Sequence, residues 1–289
     1  MKNSLKFYLM LSFVALTFVY SCDGDEEALT ESQIDTSQPI LNSLDIWLRD
    51  NFVDTYNIDI LYQWDIYNVA IGRYLHPPYL DNVQPLAEAI TKTWIEPYNE
   101  VGGEDFIKNL APREFVFSGG FNYNPDSPTI TLGIAEQGAR ITFFNIDELV
   151  YDNLDYNSLF SVVSPIQTMH HEYLHILNQT VPYDPIFEEV NPEGYLSNWT
   201  ERSDSEARED GFITAYAGSQ AGEDFAEMVS QMLTRSNADW NALVDSISSE
   251  EAKENIRRKE LLVVEYYQNS FDINFYDLQV LTYDALINL

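Results

Sequence analysis

The residues best spaced to do chemistry are the two histidines and the glutamate of His171-Glu172-Tyr173-Leu174-His175. Residues four apart on a helix share a face, so both imidazoles can reach one metal ion. Glu172 falls beside that ion rather than on it, where a general base for an activated water belongs. Of four histidines in the chain, His170, His171 and His175 crowd into this segment. Neighbours in sequence do not share a helix face, so His170 is expected on the helix surface or as a hydrogen-bond donor behind the ligands. His76, in Leu75-His76-Pro77-Pro78, reads as a loop residue without a catalytic role.

A hydrolytic zinc site usually takes three protein ligands and leaves a position for water. No histidine follows His175, and Asn178 and Val181 stand where the extended motif needs a glycine and a third histidine. Cys22 is the only cysteine, which excludes an internal disulfide and a cysteine-ligated site in the mature domain. A carboxylate is therefore expected as third ligand. In Glu223-Asp224-Phe225-Ala226-Glu227, the residues Phe225, Met228, Val229 and Met232 mark the apolar side of a helix. Glu223 and Glu227 project together from another side, and like charges at that spacing destabilise a helix unless a cation lies near. Zn2+ held by His171, His175 and Glu223 would supply that charge. Glu227 would then accept a hydrogen bond from a ligating histidine. Asp224 is the alternative ligand if the helix is rotated.

The elements that must position these groups follow from periodicity. The spacing predicts a helix from Pro39, with Ile40, Leu44, Trp47 and Leu48 as its stripe, then a strand through Ile58, Ile60, Tyr62 and Trp64. A second helix carries Val83, Leu86, Ala87, Ile90 and Trp94 and is expected to end before Pro97. Strands are expected at 114–118, 129–134 and 139–145, the last one directly before the motif helix. The motif helix is expected from Ser164 as N-cap, with Pro165 first in the helix, to Gln179; Ile166, Met169, Tyr173 and Leu177 form its buried face. A further helix spans 221–234, and Ser248 with Glu251 fits a capping box before a helical remainder. Strands first, motif helix next and helices last describe one α+β domain.

Composition sets the surroundings. Forty-seven acidic against fifteen basic residues leave a formal net charge of −32, which excludes a nucleic-acid partner and describes a very soluble surface. Lys2 and Lys6 precede an apolar run from Phe7 to Tyr20, too short for a comfortable membrane span. It ends in Val19-Tyr20-Ser21-Cys22, so residues 1–21 read as a lipoprotein signal peptide with the lipid carried on Cys22. Residues 22–37 read as an acidic flexible tether and 38–289 as the folded domain.

With these residues in view, His171-Glu172-x-x-His175 and Glu223-Asp-Phe-Ala-Glu227 resemble a gluzincin-type metallopeptidase. The segment from Thr214-Ala-Tyr216 to Glu227 is similar to the catalytic domain of anthrax lethal factor. That resemblance implies zinc on His171, His175 and Glu223, Glu172 as general base and Tyr216 as stabiliser of the oxyanion. The combination of lipobox, acidic tether and both motifs resembles the zinc-binding metallopeptidase lipoproteins associated with outer-membrane substrate import. It implies a zincin-like metallopeptidase fold, with a small mixed sheet, the motif helix and a mainly helical C-terminal half. It also implies a peptide or protein substrate extended along an edge strand beside the motif helix, with 139–145, the last strand before that helix, as the expected one. It implies further a lipid anchor in the outer membrane facing the cell surface, and a TonB-dependent import system as neighbour. Acidic residues after the lipidated cysteine resemble a surface-export signal of some Gram-negative lipoproteins. The competing expectation is a non-catalytic surface lipoprotein that binds glycan or protein and holds zinc structurally.

Overall fold

The computed structural model describes residues 40–65, 67, 72–125, 129–136 and 139–289. The leader, Cys22, the tether and Pro39 lie outside the described residues. Helix α1 opens at Ser43–Leu48 and continues through a wide π-turn, Arg49–Val53, into Asp54–Tyr56. Its start is set by Asn42, whose side chain accepts from the Asp45 amide while Asp45 accepts from the Asn42 amide. This reciprocal cap places the helix start after Ile40, which is fully exposed and not part of the stripe.

Helix α2 follows the same plan, with Leu80–Ile90, a wide turn at Thr91–Ile95, and Glu96–Gly102. Sequence periodicity predicts an end before Pro97, yet the helix runs on. The wide turn shifts the hydrogen-bond ladder by one residue at the point where proline cannot donate, so the break is absorbed as a local distortion. Helix α3 is Phe106–Leu110.

The main sheet has the order β1-β2-β6-β5, with β1 Asp59–Leu61, β2 Glu114–Phe117, β5 Gly133–Glu136 and β6 Arg140–Phe143. β1 and β2 are parallel, as are β2 and β6, while β5 runs antiparallel to β6. Ile60, Phe115 and Ile141 are register partners across three strands and share one buried face. Trp94 of α2 packs edge-on against Phe115 and against Tyr173, tying sheet, α2 and motif helix into one core.

Two strand expectations change. The stretch 129–134 divides at Leu132 into β4 Ile130–Thr131, paired with β3 Asn122–Tyr123, and β5. The stretch 139–145, expected beside the motif helix for an extended substrate, is the inner strand β6, paired on both sides. Its backbone groups are spent in the sheet, and the edge belongs to β5.

The motif helix α4 spans Val163–Thr180. Ser164 does not cap it; the Ser161 hydroxyl accepts from the Val163 amide at 3.1 Å. Pro165 still lies in the first turn, where no amide is needed. After α5, Asp204–Glu209, come α6 Ala221–Leu233, α7 Asn237–Asp245, α8 Glu250–Phe271 and α9 Phe275–Leu286. The capping box expected at Ser248 is displaced. Ser249 caps α8, and Glu209 of α5 accepts from both the Ser248 and Ser249 amides. A carboxylate distant in sequence takes the place of the local Glu251. The result is the α+β arrangement that element order predicts, with helices filling the second half.

One buried ion pair locks α6 to α8. Lys259 Nζ lies 2.6 Å from Asp224 Oδ2, with both side chains fully buried. Lys259 also donates to the Gly211 carbonyl at 2.9 Å and lies over the Phe212 ring, while the Tyr195 hydroxyl donates to Asp224 at 3.0 Å. Lys259→Met leaves a buried carboxylate without its cation and is expected to lower stability by about 3–5 kcal/mol. The double change Lys259→Met with Asp224→Leu should recover most of that loss, as read from urea unfolding midpoints.

Candidate metal centre

Helix α4 forms because Ile166, Met169, Tyr173 and Leu177 recur at helical spacing and are all buried, joined by Leu174. That packing turns His171, Glu172 and His175 toward a cleft between α4, the β5 edge and the loop after α4. Helix α6 buries Phe225, Met228, Val229 and Met232, which turns Glu223 and Glu227 toward α4.

Three donor atoms meet there. His171 Nε2 lies 2.9 Å from Glu223 Oε2, His175 Nε2 lies 3.3 Å from the same oxygen, and the two Nε2 atoms are 3.2 Å apart. Among the described residues, this is the one group of three or more histidine, cysteine or acidic side chains placed to hold a metal ion. A tetrahedral ion about 2.0–2.1 Å from each donor requires donor spacings of roughly 3.3–3.4 Å, close to those found.

The tautomer decides what belongs between them. His171 Nδ1 lies 2.8 Å from Glu227 Oε1, a carboxylate that can only accept, so Nδ1 carries the proton. In the neutral ring, Nε2 then presents only a lone pair, facing a second imidazole nitrogen and a carboxylate oxygen. Such an arrangement requires positive charge at its centre. Burial alone would lower the His171 pKa, but hydrogen bonds to Glu223 and Glu227 outweigh it and push it up to about 10, so without a metal a proton supplies that positive charge. Burial of Glu223 acts to raise its pKa, yet the contacts with His171 and His175 hold it far below the usual carboxylate range. A proton can satisfy one pair of these atoms; a metal ion satisfies all three, and the residues present fit zinc.

A chain of polar groups holds the ligands. Glu227 Oε2 accepts from the Thr214 hydroxyl at 2.7 Å, and that hydroxyl accepts from the Ala217 amide at 3.1 Å. Gln220 Nε2 donates to Glu223 Oε1 at 3.0 Å, leaving Oε2 turned to the histidines. Thr214 and Gln220 are not singled out by sequence reasoning. Gln220, immediately before α6 and three residues before Glu223, carried a usable signal. Nothing local to Thr214 marks its role, because its partner Glu227 arrives from another element.

Tyr216 sits on the short turn Tyr216–Ser219 just before α6, and its ring stacks on His171 with centroids 5.8 Å apart. Burial, followed by the negative charge of Glu223, raises its pKa well above that of an ordinary tyrosine, so its hydroxyl keeps its proton. Glu172 and Tyr216 both line the cleft of about 750 Å³ that reaches His175 and Glu223. Opposite them, the β5 edge approaches closely because Gly133 lies flat on α4; a Cβ there would overlap the Thr168 methyl.

Two expectations are corrected. Asp224 points into the core against Lys259 and does not face the histidines. His170 is neither on the surface nor behind the ligands: it is fully buried and stacked on Tyr98 at 6.0 Å. Burial lowers its pKa to about 3, keeping the ring neutral. His76 is a half-exposed loop residue beside Gly119 and Gly120.

A mixed sheet with a helix that carries two histidine ligands, a carboxylate from the next long helix and an open cleft define a zinc metallohydrolase. The chain belongs to the family described as "Putative zinc-binding metallo-peptidase", which matches residues 37–276. A crystal structure of a protein described in the same words, from Bacteroides caccae, is similar, with 30% identity and a TM-score of 0.70. The similarity covers 85% of this chain and 92% of that one. No curated protein matches the chain. Family and neighbour agree with the fold and with zinc as the metal; neither bears on the likeness to anthrax lethal factor or on a lipid anchor.

Removing Glu223 as Glu223→Ala should reduce bound zinc far more than Asp224→Asn does. Glu227→Gln is expected to weaken zinc binding by roughly 10–100-fold, and Thr214→Val should move in the same direction. Competition with a chromophoric chelator measures all four.

Proposed function

We propose that the chain is a zinc-dependent peptidase in which Glu172 is the general base and Tyr216 the oxyanion donor. The observation that carries this reading is the convergence of His171, His175 and Glu223, the last two lining the same cleft as Glu172 and Tyr216. Zinc supplies Lewis acidity, which makes water a nucleophile near neutral pH and polarises a carbonyl. Glu172 takes the water proton on a carboxylate oxygen and passes it to the leaving nitrogen. The Tyr216 hydroxyl, protonated at working pH, donates to the oxygen on which negative charge develops. The outer edge of β5 has no strand partner among the described residues, so its free backbone groups can align an extended peptide.

The cleft and the three-membered ligand set also support catalysis over the non-catalytic alternative. A structural zinc site closes with a fourth protein ligand, and the described residues place no further histidine, cysteine or acidic group in this cluster.

The reading extends to location. The protein is a lipoprotein anchored through Cys22 in the outer membrane and facing the cell surface, where it hands peptides to a TonB-dependent import system. The lipobox-like end of the leader and the acidic residues after it support this.

Glu172→Gln should keep zinc and lose about 10²–10⁴ in kcat; full turnover in that variant would remove Glu172 from its role. Tyr216→Phe is expected to lower kcat by roughly 10²–10³ with little change in KM. Cleavage of a diverse peptide library, with bound zinc measured in parallel, checks both. For the anchor, Cys22→Ala should abolish labelled-palmitate incorporation and release the protein from membranes; unchanged labelling would refute it.

A further inference from the structure

The wall of the cleft away from the sheet edge is built by the loop that follows α4, and it is held rigidly. The Tyr266 hydroxyl donates to the Val181 carbonyl at 2.8 Å, and the Tyr183 amide donates to Asn178 Oδ1 at 2.9 Å. Asp184 accepts from the Ile186 amide, closing the turn Pro185–Phe187. The Tyr183 ring lies flat on Phe225 of α6, with centroids 4.6 Å apart and planes inclined by 16°. Phe187 is fully buried and meets Phe225 edge-on. This wall is therefore anchored to the same helix that supplies Glu223.

At its rim stands Glu188. The Tyr183 hydroxyl donates to Glu188 Oε1 at 3.0 Å and fixes the carboxylate over the cleft. Glu188 is an exposed residue, and among the described residues its second carboxylate oxygen makes no hydrogen bond. Among the described residues, the acidic groups lining the cleft are Glu172, Glu188 and Glu223, and no lysine or arginine lines it. Glu172 and Glu223 are committed to the metal centre, which leaves Glu188 as the carboxylate of the cleft lining available to a substrate. Apart from the metal centre, the described residues therefore give the cleft no cationic side chain of lysine or arginine to pair with a substrate carboxylate. A chain of net charge −32 further raises the local concentration of cationic ligands.

We propose that Glu188, held by Tyr183, is a specificity subsite that selects substrates carrying a protonated nitrogen in the cleft. The inference rests on the peptidase reading and adds the class of peptide. A lysine or arginine side chain, or the free amino terminus of a peptide, presents the required chemistry: an N–H donor with positive charge. The free oxygen of Glu188 accepts from it while the peptide backbone lies along β5. Peptides with an acidic residue at that position are repelled by the same carboxylate.

The test uses the zinc-loaded mature protein and three sets of peptides. The first is N-acetylated and C-amidated with one lysine or arginine, the second replaces that residue by norleucine or glutamate, and the third has a free amino terminus and no basic residue. The wild type should favour cationic over neutral peptides in kcat/KM by roughly tenfold, the scale of one charge-assisted hydrogen bond. In Glu188→Gln that ratio should fall toward one, and in Glu188→Lys the glutamate peptides should become the preferred set. Glu189→Gln, an exposed neighbour outside the cleft lining, should keep the wild-type ratio. A preference confined to the first set assigns the subsite to a side chain; one confined to the third set assigns it to the substrate amino terminus. Equal cleavage of cationic and neutral peptides, or a preference that survives Glu188→Gln, overturns the subsite and leaves hydrolysis standing. If no peptide is cut, the peptidase reading fails. Binding of the same peptides to zinc-loaded Glu172→Gln, read by fluorescence anisotropy, then decides the subsite, and no tighter binding of the cationic sets overturns it.

Discussion

The structure depends on one electrostatic constraint: three electron-rich atoms, His171 Nε2, His175 Nε2 and Glu223 Oε2, are held 2.9–3.3 Å apart. Nothing in the lone pairs themselves favours that approach. It is imposed by the packing of α4 against α6, in which the buried apolar sides of both helices hold the polar sides face to face. The repulsion is relieved only by positive charge at the centre, so apolar packing in the core becomes affinity for a cation at the surface of the cleft. Glu227 takes part in the same logic. By accepting from His171 Nδ1 it fixes the tautomer, and Thr214 in turn fixes Glu227.

Two adjacent carboxylates on α6 show how much a rotation of about 100° on a helix decides. Asp224 turns inward and pairs with Lys259 in full burial, while Glu223 turns outward to the histidines. The two environments are not interchangeable. An ion pair in the core tolerates no register error, because a helix rotated either way would strand a buried charge without its partner. The Asp224–Lys259 pair thus acts on the metal centre at one remove, by fixing which face of α6 looks at α4.

Much of this was legible in the chain. The spacing of His171, Glu172 and His175 and the apolar period around them specify a helix with two ligands on one face, and both are local properties. The absence of a later histidine and of a usable cysteine turns attention to Glu223 and Glu227, and their spacing predicts a common direction. Failures concentrate where a partner comes from far along the chain. Glu209 took the amides expected of a local capping box at Ser248 and Glu251. Pro97 was absorbed by a wide turn. The stretch 139–145, which its place before the motif helix marks as the substrate-facing strand, is an inner strand, because strand order in a sheet is a matter of pairing and not of proximity in sequence.

The sequence by itself determined that His171 and His175 share one helix face, since residue type and helical spacing fix what one element can present on one face. Tertiary structure alone decided which of two neighbouring acids meets the histidines, which strand is the edge, and where His170 goes. Those outcomes turn on how separate elements rotate and pair as they bury a shared core. Thr214 and Glu188 belong to the same class, for each acquires its place only when another part of the chain is brought within hydrogen-bond distance or into a common cleft.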